Sequence, residues 1–260
     1  MKAGASSAGR AAFRAAVRPA GTSALEPADV MSDGIRHSWD LTPREAIALQ
    51  RELAGRVVLR ALPRNFRILG ASDIGYVKAG ERLAAVMLTF SWPDLLPLEA
   101  VHAICPVRFP YIPGLLSFRE IPPLIEAFEQ LKKRPDVLLC DGQGIAHPRK
   151  FGLAAHLGLY LGLPTIGCAK KRLCGIHASP PNKKGCSVPL YLDREAVGSV
   201  YCSRDNVKPI FVSPGHLCDQ KSAERLVARC LGRYRIPEPL RQAHLLATKL
   251  RLEISISSNG

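Results

Sequence analysis

Asp136-Val137-Leu138-Leu139-Cys140-Asp141-Gly142-Gln143-Gly144 decides how this chain folds. Four apolar residues between two aspartates read as a strand buried on both faces, the form that parallel strands take. Residues 149–162 follow as a helix and 164–169 as another short strand, so the three make a right-handed crossover unit. Asp141 then stands at the carboxyl end of a central strand, where open α/β sheets place their sites. Gly142 and Gly144 let backbone approach a ligand closely. A plain Asp-Gly turn explains the same residues without any site, and position alone leaves both readings open.

Upstream, Thr42-Pro43-Arg44-Glu45 joins an N-cap Thr, Pro at the first helical position and Glu three residues after the cap. Ala46, Leu49, Leu53 and Val57 recur at helical spacing and predict a helix over 43–60. Three apolar runs, at about 67–75, 83–90 and 98–105, are joined by the short links 78–81 and 91–94 and predict an antiparallel meander. A proline-rich loop occupies 106–114. Pro122 and Pro123 belong in a first helical turn, which puts the next helix at about 121–132. Beyond residue 185 the pattern predicts a hairpin over 188–202, a strand over 208–213, and helices near 220–233 and 238–251. A meander followed by parallel strands and helices is the order of a ribonuclease H-like fold, an α/β architecture with a central mixed sheet flanked by helices.

Bulk properties narrow the partners. The 260 residues are 47% hydrophobic and carry a net charge of +14, which favours an anionic partner, nucleic acid first and an acidic membrane surface second. No apolar run approaches the roughly 18 residues of a membrane span. Eight cysteines contain no Cys-x-x-Cys pair, and several sit in apolar runs, so they read as reduced thiols of a cytoplasmic protein and argue against a zinc ribbon. Residues 1–36 are rich in Ala, Ser and Arg, with no acid until Glu26, and read as a leader or as an over-extended start ahead of Met31. The folded domain is expected over 37–252, with 253–260 a tail.

Asp73 lies in an apolar strand, where a carboxylate is costly unless it is paired, binds a metal or caps a turn. Glu120 could close a capping box with Ser117, but the prolines that follow place the helix start later than such a box requires. With Asp141, these carboxylates have the chemistry of a site for hard divalent cations that clamp a phosphoryl group. His147, His156, His216 and His244 are further candidates, and each is equally readable as a satisfied structural histidine. His147 beside the Asp141 loop is best placed to orient a water or touch phosphate. Lys170-Lys171-Arg172 follows a strand end on the same sheet edge, where a Lys could stabilise developing phosphoryl charge. Tyr111, held between Pro110 and Pro113, is a rigid aromatic beside Ile112.

Together these segments resemble the endonuclease V family. The resemblance rests on Trp39-Asp40-Leu41, Ala71-Ser72-Asp73, Phe109 to Glu120, Asp141 to Lys150, Pro164 to Lys170, Ser213-Pro214-Gly215-His216, and Ile236 to Pro239 with Arg241 to His244. It spans about 37–250. It implies a ribonuclease H-like fold and a DNA repair endonuclease that hydrolyses the second phosphodiester bond 3′ to deoxyinosine, or to other deaminated or mismatched bases. The products carry 3′-hydroxyl and 5′-phosphate ends. It implies Mg²⁺, with Mn²⁺ able to substitute, held by Asp73, Asp141, Glu120 and His244, the last at a position that is Asp in some relatives. Lys170 would meet the reacting phosphate, and His147 a metal-bound water or phosphate. Tyr111 would be the wedge filling the gap as the lesion rotates out. Pro110, Ile112, Pro113, Gly114, Leu116, Gly142 and Gly144 would form the lesion pocket. Implied partners are double- or single-stranded DNA containing deoxyinosine, met by a monomer. Cleavage of inosine-containing single-stranded RNA is the alternative, and a lesion-binding protein without catalysis is a third reading.

Overall fold

The computed structural model describes residues 17–18, 34–77 and 82–257. Its strands are β1 (Val17–Arg18), β2 (Ile68–Val77), β3 (Arg82–Ser91), β4 (Pro97–Pro106), β5 (Val137–Cys140), β6 (Thr165–Ala169), β7 (Ser187–Leu192), β8 (Glu195–Tyr201) and β9 (Ile210–Pro214). The helices are α1 (Pro43–Ala54), α2 (Leu116–Glu129), α3 (Leu153–Leu161), α4 (Gln220–Arg229) and α5 (Glu238–Ser257). All nine strands join one sheet in the order β1-β4-β3-β2-β5-β6-β9-β8-β7. The expected meander is β2-β3-β4, antiparallel throughout, and β2, β5 and β6 run parallel at the centre.

Alternation along β2 distributes its side chains between two cores. Leu69 and Ala71 face α4 and α5, packing with Leu226, Leu240, Ala243 and Ala247. On the other face, Met87, Val101, Leu138 and Cys140 meet Ile121, Leu124 and Phe128 of α2 and Leu157 of α3. With its two faces covered by helices, β5 is buried at every position, as its unbroken apolar run requires.

Several boundaries depart from expectation, each for a visible reason. α1 has the full capping box but ends at Ala54, because Gly55 caps it and the chain continues as an extended strap. There Val58 donates its N–H to His216 Nδ1 and accepts from the Leu217 N–H. α2 starts at Leu116, five residues before the position inferred from the prolines, so Pro122 and Pro123 lie inside the helix. An interior proline costs about 3 kcal/mol in an isolated helix. The burial of Phe118, Ile121, Leu124 and Phe128 along one face offsets that cost, since packing rather than propensity supplies most helical stability. α3 begins at Leu153 instead of 149, because residues 149–152 make the loop whose Gly152 N–H bonds back to Gly144 O. α4 stops at Arg229, short of 233, and α5 runs on to Ser257, past the 252 boundary. The link 78–81 and, apart from Val17–Arg18, the leader up to residue 33 lie outside the described residues. No helix among the described residues is long and apolar enough to cross a membrane.

Gly158 lets α3 lie directly on β6. A Cβ there would stand 2.2 Å from Thr165 Oγ1, whose hydroxyl donates to Ala154 O at 2.7 Å and accepts from the His216 N–H at 2.9 Å. Gly158→Ala should therefore destabilise the protein by about 1–3 kcal/mol through overpacking, measured by chemical denaturation. A midpoint equal to the parent's would contradict this close packing.

Candidate active site

Register brings the carboxylates together. Ser72 pairs with Cys140 across the parallel β2/β5 ladder, and the Asp141 N–H reaches Ser72 O at 3.2 Å. Asp73, midway along β2, and Asp141, just past the end of β5, therefore sit side by side on the α5 face. His244, from the first half of α5, closes the third side. One donor atom from each of Asp73, Asp141 and His244 lies within 4.8 Å of the others.

The electrostatics of this cluster call for positive charge. Burial, and then the neighbouring Asp141 carboxylate, raise the Asp73 carboxyl above its ordinary value. Each acid has acquired a partial remedy. His244 Nδ1 lies 2.8 Å from Asp73 Oδ2, and Lys170 Nζ lies 2.6 Å from Asp141 Oδ2. Two carboxylate oxygens and an imidazole nitrogen at this spacing suit a divalent cation, and the donor set fits the metal that the sequence implies.

Glu120 approaches the same sheet edge from the α2 side. It lies in the second turn of α2, not at a helix start, and neither capping nor the prolines explain it. Its carboxyl Oε1 accepts a short hydrogen bond from the Tyr76 hydroxyl, outside the three-residue cluster. Burial pushes Glu120 up to about 8 despite that bond, with the charges of Asp73 and Asp141 acting in the same direction. Tyr76 is raised well above its ordinary value by burial and by the Glu120 charge.

Beside the cluster opens a cavity of about 460 Å³, walled by residues 111–114, Leu116 and Ser117 on one side and by Gly142, Gln143 and Lys170 to Leu173 on another. Of the residues named for a lesion pocket, Ile112, Pro113, Gly114, Leu116 and Gly142 line this cavity. Pro110 and Gly144 do not. A Cβ at Gly144 would meet Pro214 O at 2.0 Å, so this glycine serves backbone packing against β9. Tyr111 stands at the cavity with 67% of its surface exposed.

The loop bearing Tyr111 is braced at one atom. Gly114 O accepts from Gln50 Nε2 at 3.1 Å, His147 Nε2 at 3.0 Å and Arg149 Nη2 at 2.6 Å. His147 Nδ1 also accepts from the Arg149 N–H at 3.1 Å, so both ring nitrogens are committed to the brace and not to a phosphate or water. Burial first, and then the nearby Arg149 charge, lower His147 to about 4, which keeps the ring neutral and suited to this role. Arg149 and Lys150, the basic pair that follows the glycine turn, are engaged internally: Arg149 Nε bonds Gln50 Oε1 at 2.6 Å, and Lys150 pairs with Glu195 at 2.5 Å. His216 holds the strap after α1. His156 is buried against Ser117 at 3.0 Å.

Tyr76 and Gln50 are the site residues that the sequence reading missed. Gln50 left a signal: a polar side chain on the buried stripe of α1, between Ala46 and Leu53. Tyr76 left none, because its role depends on which face α2 turns towards β2.

The central mixed sheet, its flanking helices and the acidic cluster at the strand ends define a nuclease of ribonuclease H-like fold. The Endonuclease V family model matches residues 51–245. Endonuclease V of Azotobacter vinelandii is 48% identical over 221 residues, covering 84% of this chain and 99% of that protein. The crystal structure of endonuclease V from Streptomyces avermitilis superimposes with a TM-score of 0.79 at 36% identity, covering 86% of this chain and all of that one. Endonuclease V of Ciona intestinalis, in complex with a 23mer DNA containing an inosine followed by a ribo-adenosine, gives a TM-score of 0.74 at 28% identity, with 82% of this chain and 100% of that chain covered. The chain belongs to the endonuclease V family.

The Glu120 environment yields a pH signature. Folded Glu120 keeps its proton up to about pH 8, whereas the ordinary value is 4.5. Between those limits the folded state binds more protons than the unfolded one, so stability falls as pH rises. In chelator-treated protein, Glu120→Gln should melt at higher temperature than the parent, and the gap should widen from pH 5 to pH 8. Excess Mg²⁺ should narrow it. A gap independent of pH would refute this account of Glu120.

Proposed function

We propose that this protein is a divalent-cation-dependent DNA repair endonuclease that cuts the second phosphodiester bond 3′ to deoxyinosine, leaving 3′-hydroxyl and 5′-phosphate ends. The observation that carries the reading is the Asp73–Asp141–His244 cluster, joined through Lys170 to a cavity of about 460 Å³ that Tyr111 and Lys170-Lys171-Arg172 help to line. Asp73, Asp141 and His244 would hold Mg²⁺ or Mn²⁺, with Glu120 beside them. Bound there, the cation supplies charge to the phosphoryl oxygens and lowers the pKa of a water.

The protein's own groups do the rest. Lys170, already drawn to Asp141, presents its ammonium where the phosphate's charge grows. Tyr111 enters the duplex as the inosine leaves the stack, and the brace on Gly114 O limits how much order the loop must gain on binding. Flipping costs least at a mispaired base, so mispaired inosine is favoured before any contact to the base forms. The protein acts as a monomer in the cytoplasm on this reading.

A second reading, cleavage at inosine in RNA, is favoured by one observation: the DNA held by the Ciona intestinalis relative carries a ribonucleotide after its inosine. Matched oligonucleotides with inosine in DNA, in RNA, or in DNA followed by one ribonucleotide separate the two in a single cleavage assay with Mg²⁺.

Asp141→Asn should lower cleavage on the order of 10³-fold, the scale of losing one preorganised electrostatic group, while retaining affinity for inosine duplexes in a gel-shift measurement. Undiminished cutting by that variant would remove the basis of the assignment. Tyr111→Ala should cut the binding preference for inosine over undamaged duplex by about tenfold, the scale of one lost aromatic–base contact, and leave metal affinity by titration calorimetry unchanged.

A further inference from the structure

A polar chain runs from the cavity wall to the segment before α1, and neither the acidic cluster nor the wedge uses it. His37 Nδ1 lies 2.8 Å from Ser38 O, His37 Nε2 lies 2.7 Å from His156 Nε2, and His156 Nδ1 lies 3.0 Å from Ser117 Oγ. Ser117 is 2% exposed and lines the cavity. Burial lowers both histidines, which favours the neutral ring with a single N–H at each.

Those facts fix every proton in the chain. A carbonyl oxygen only accepts, so His37 carries its hydrogen on Nδ1 and its Nε2 is a bare acceptor. The hydrogen between the two rings must then come from His156 Nε2. That leaves His156 Nδ1 bare, and it takes the Ser117 hydroxyl hydrogen. Ser117 Oγ, in a residue of the cavity lining, therefore has lone pairs alone left to offer a ligand. Gln143, elsewhere in the cavity lining, repeats the pattern: its Nε2 donates to Lys171 O at 3.0 Å, which pins the amide, and its Oε1 is buried without a hydrogen-bond partner.

We infer that Ser117 is a specificity-determining residue whose oxygen accepts the N1–H of a 6-oxopurine seated in the cavity. The inference rests on the inosine reading above and adds a side-chain reason for choosing inosine over adenosine. Adenine presents a bare N1, which would face the Ser117 lone pairs across a dry gap and leave a buried acceptor unpaired. For Ser117 to donate instead, every link would have to invert, and the bare His37 Nδ1 would then oppose Ser38 O. The carbonyl at the far end thus holds the hydroxyl at the near end in one polarity.

Duplexes containing deoxyinosine or 2′-deoxynebularine, a purine with a bare N1 and no 6-oxo group, test this with parent, Ser117→Ala and His37→Phe proteins. Ser117→Ala should lower kcat/KM on inosine about tenfold, within the cost of a lost buried hydrogen bond, and change nebularine less than twofold. His37→Phe, which unlocks the chain without touching the cavity, should shrink the inosine-over-nebularine ratio several-fold. Nitrogen-resolved NMR of the parent should find His37 protonated at Nδ1 and His156 at Nε2. Equal losses on both bases, an unaffected inosine rate in Ser117→Ala, or His156 protonated at Nδ1 would each overturn the inference. A parent that cuts neither substrate would instead overturn the inosine reading, and with it the ligand assigned to Ser117.

Discussion

The site depends on two neighbouring strands running in the same direction. Parallel pairing of β2 with β5 in the Ser72–Cys140 register leaves Asp73 and Asp141 adjacent and on one face. A slip of one residue would send one carboxylate to the α2 face and dissolve the cluster. The β2/β5 ladder and the Asp141 N–H to Ser72 O bond hold that register, and the helices that bury Val137 to Cys140 on both sides also carry the remaining groups. α5 brings His244 and α2 brings Glu120. The fold thus concentrates negative charge at one sheet edge, and the Lys170–Asp141 and His244–Asp73 contacts relieve only part of it.

Much of this was legible in the sequence, for reasons that differ by element. The meander, the buried strand and the crossover could be read because period and burial are local properties. Asp141 and Lys170 could be placed because strand ends mark where sites form, and Asp73 because a carboxylate within an apolar strand needs a partner. The start of α2 could not be read, because the prolines argued locally for residue 121 while the burial of Phe118 against His156 and Phe109 argued for 116. The roles of Arg149 and His147 were hidden for the same reason: a basic residue after a glycine turn looks free until Gln50 arrives from a helix about a hundred residues away. Charge in a sequence says that a group must be satisfied, but not whether by ligand or by protein.

The cavity and the Tyr111 loop share a wall, and different parts of the chain hold it. Gly114 O gathers Gln50, His147 and Arg149, while Ser117, three residues on, is held through His156 and His37. The loop that carries the exposed Tyr111 is therefore anchored from α1, from the turn after β5 and from α3. Rigid support beneath an exposed aromatic is the arrangement expected where a side chain must enter a stacked helix without first being ordered.

His244 gives the order of biosynthesis a meaning for this nuclease. The cluster draws on residues 73, 141 and 244, and the last arrives only with α5, which covers β2 and β3 as a single slab of apolar contact. A nascent chain that has left the ribosome as far as α4 holds both aspartates and the wedge loop but has no imidazole to join them. The three-residue cluster is thus completed only when the sheet receives its final cover, by the last helix of the chain's described residues.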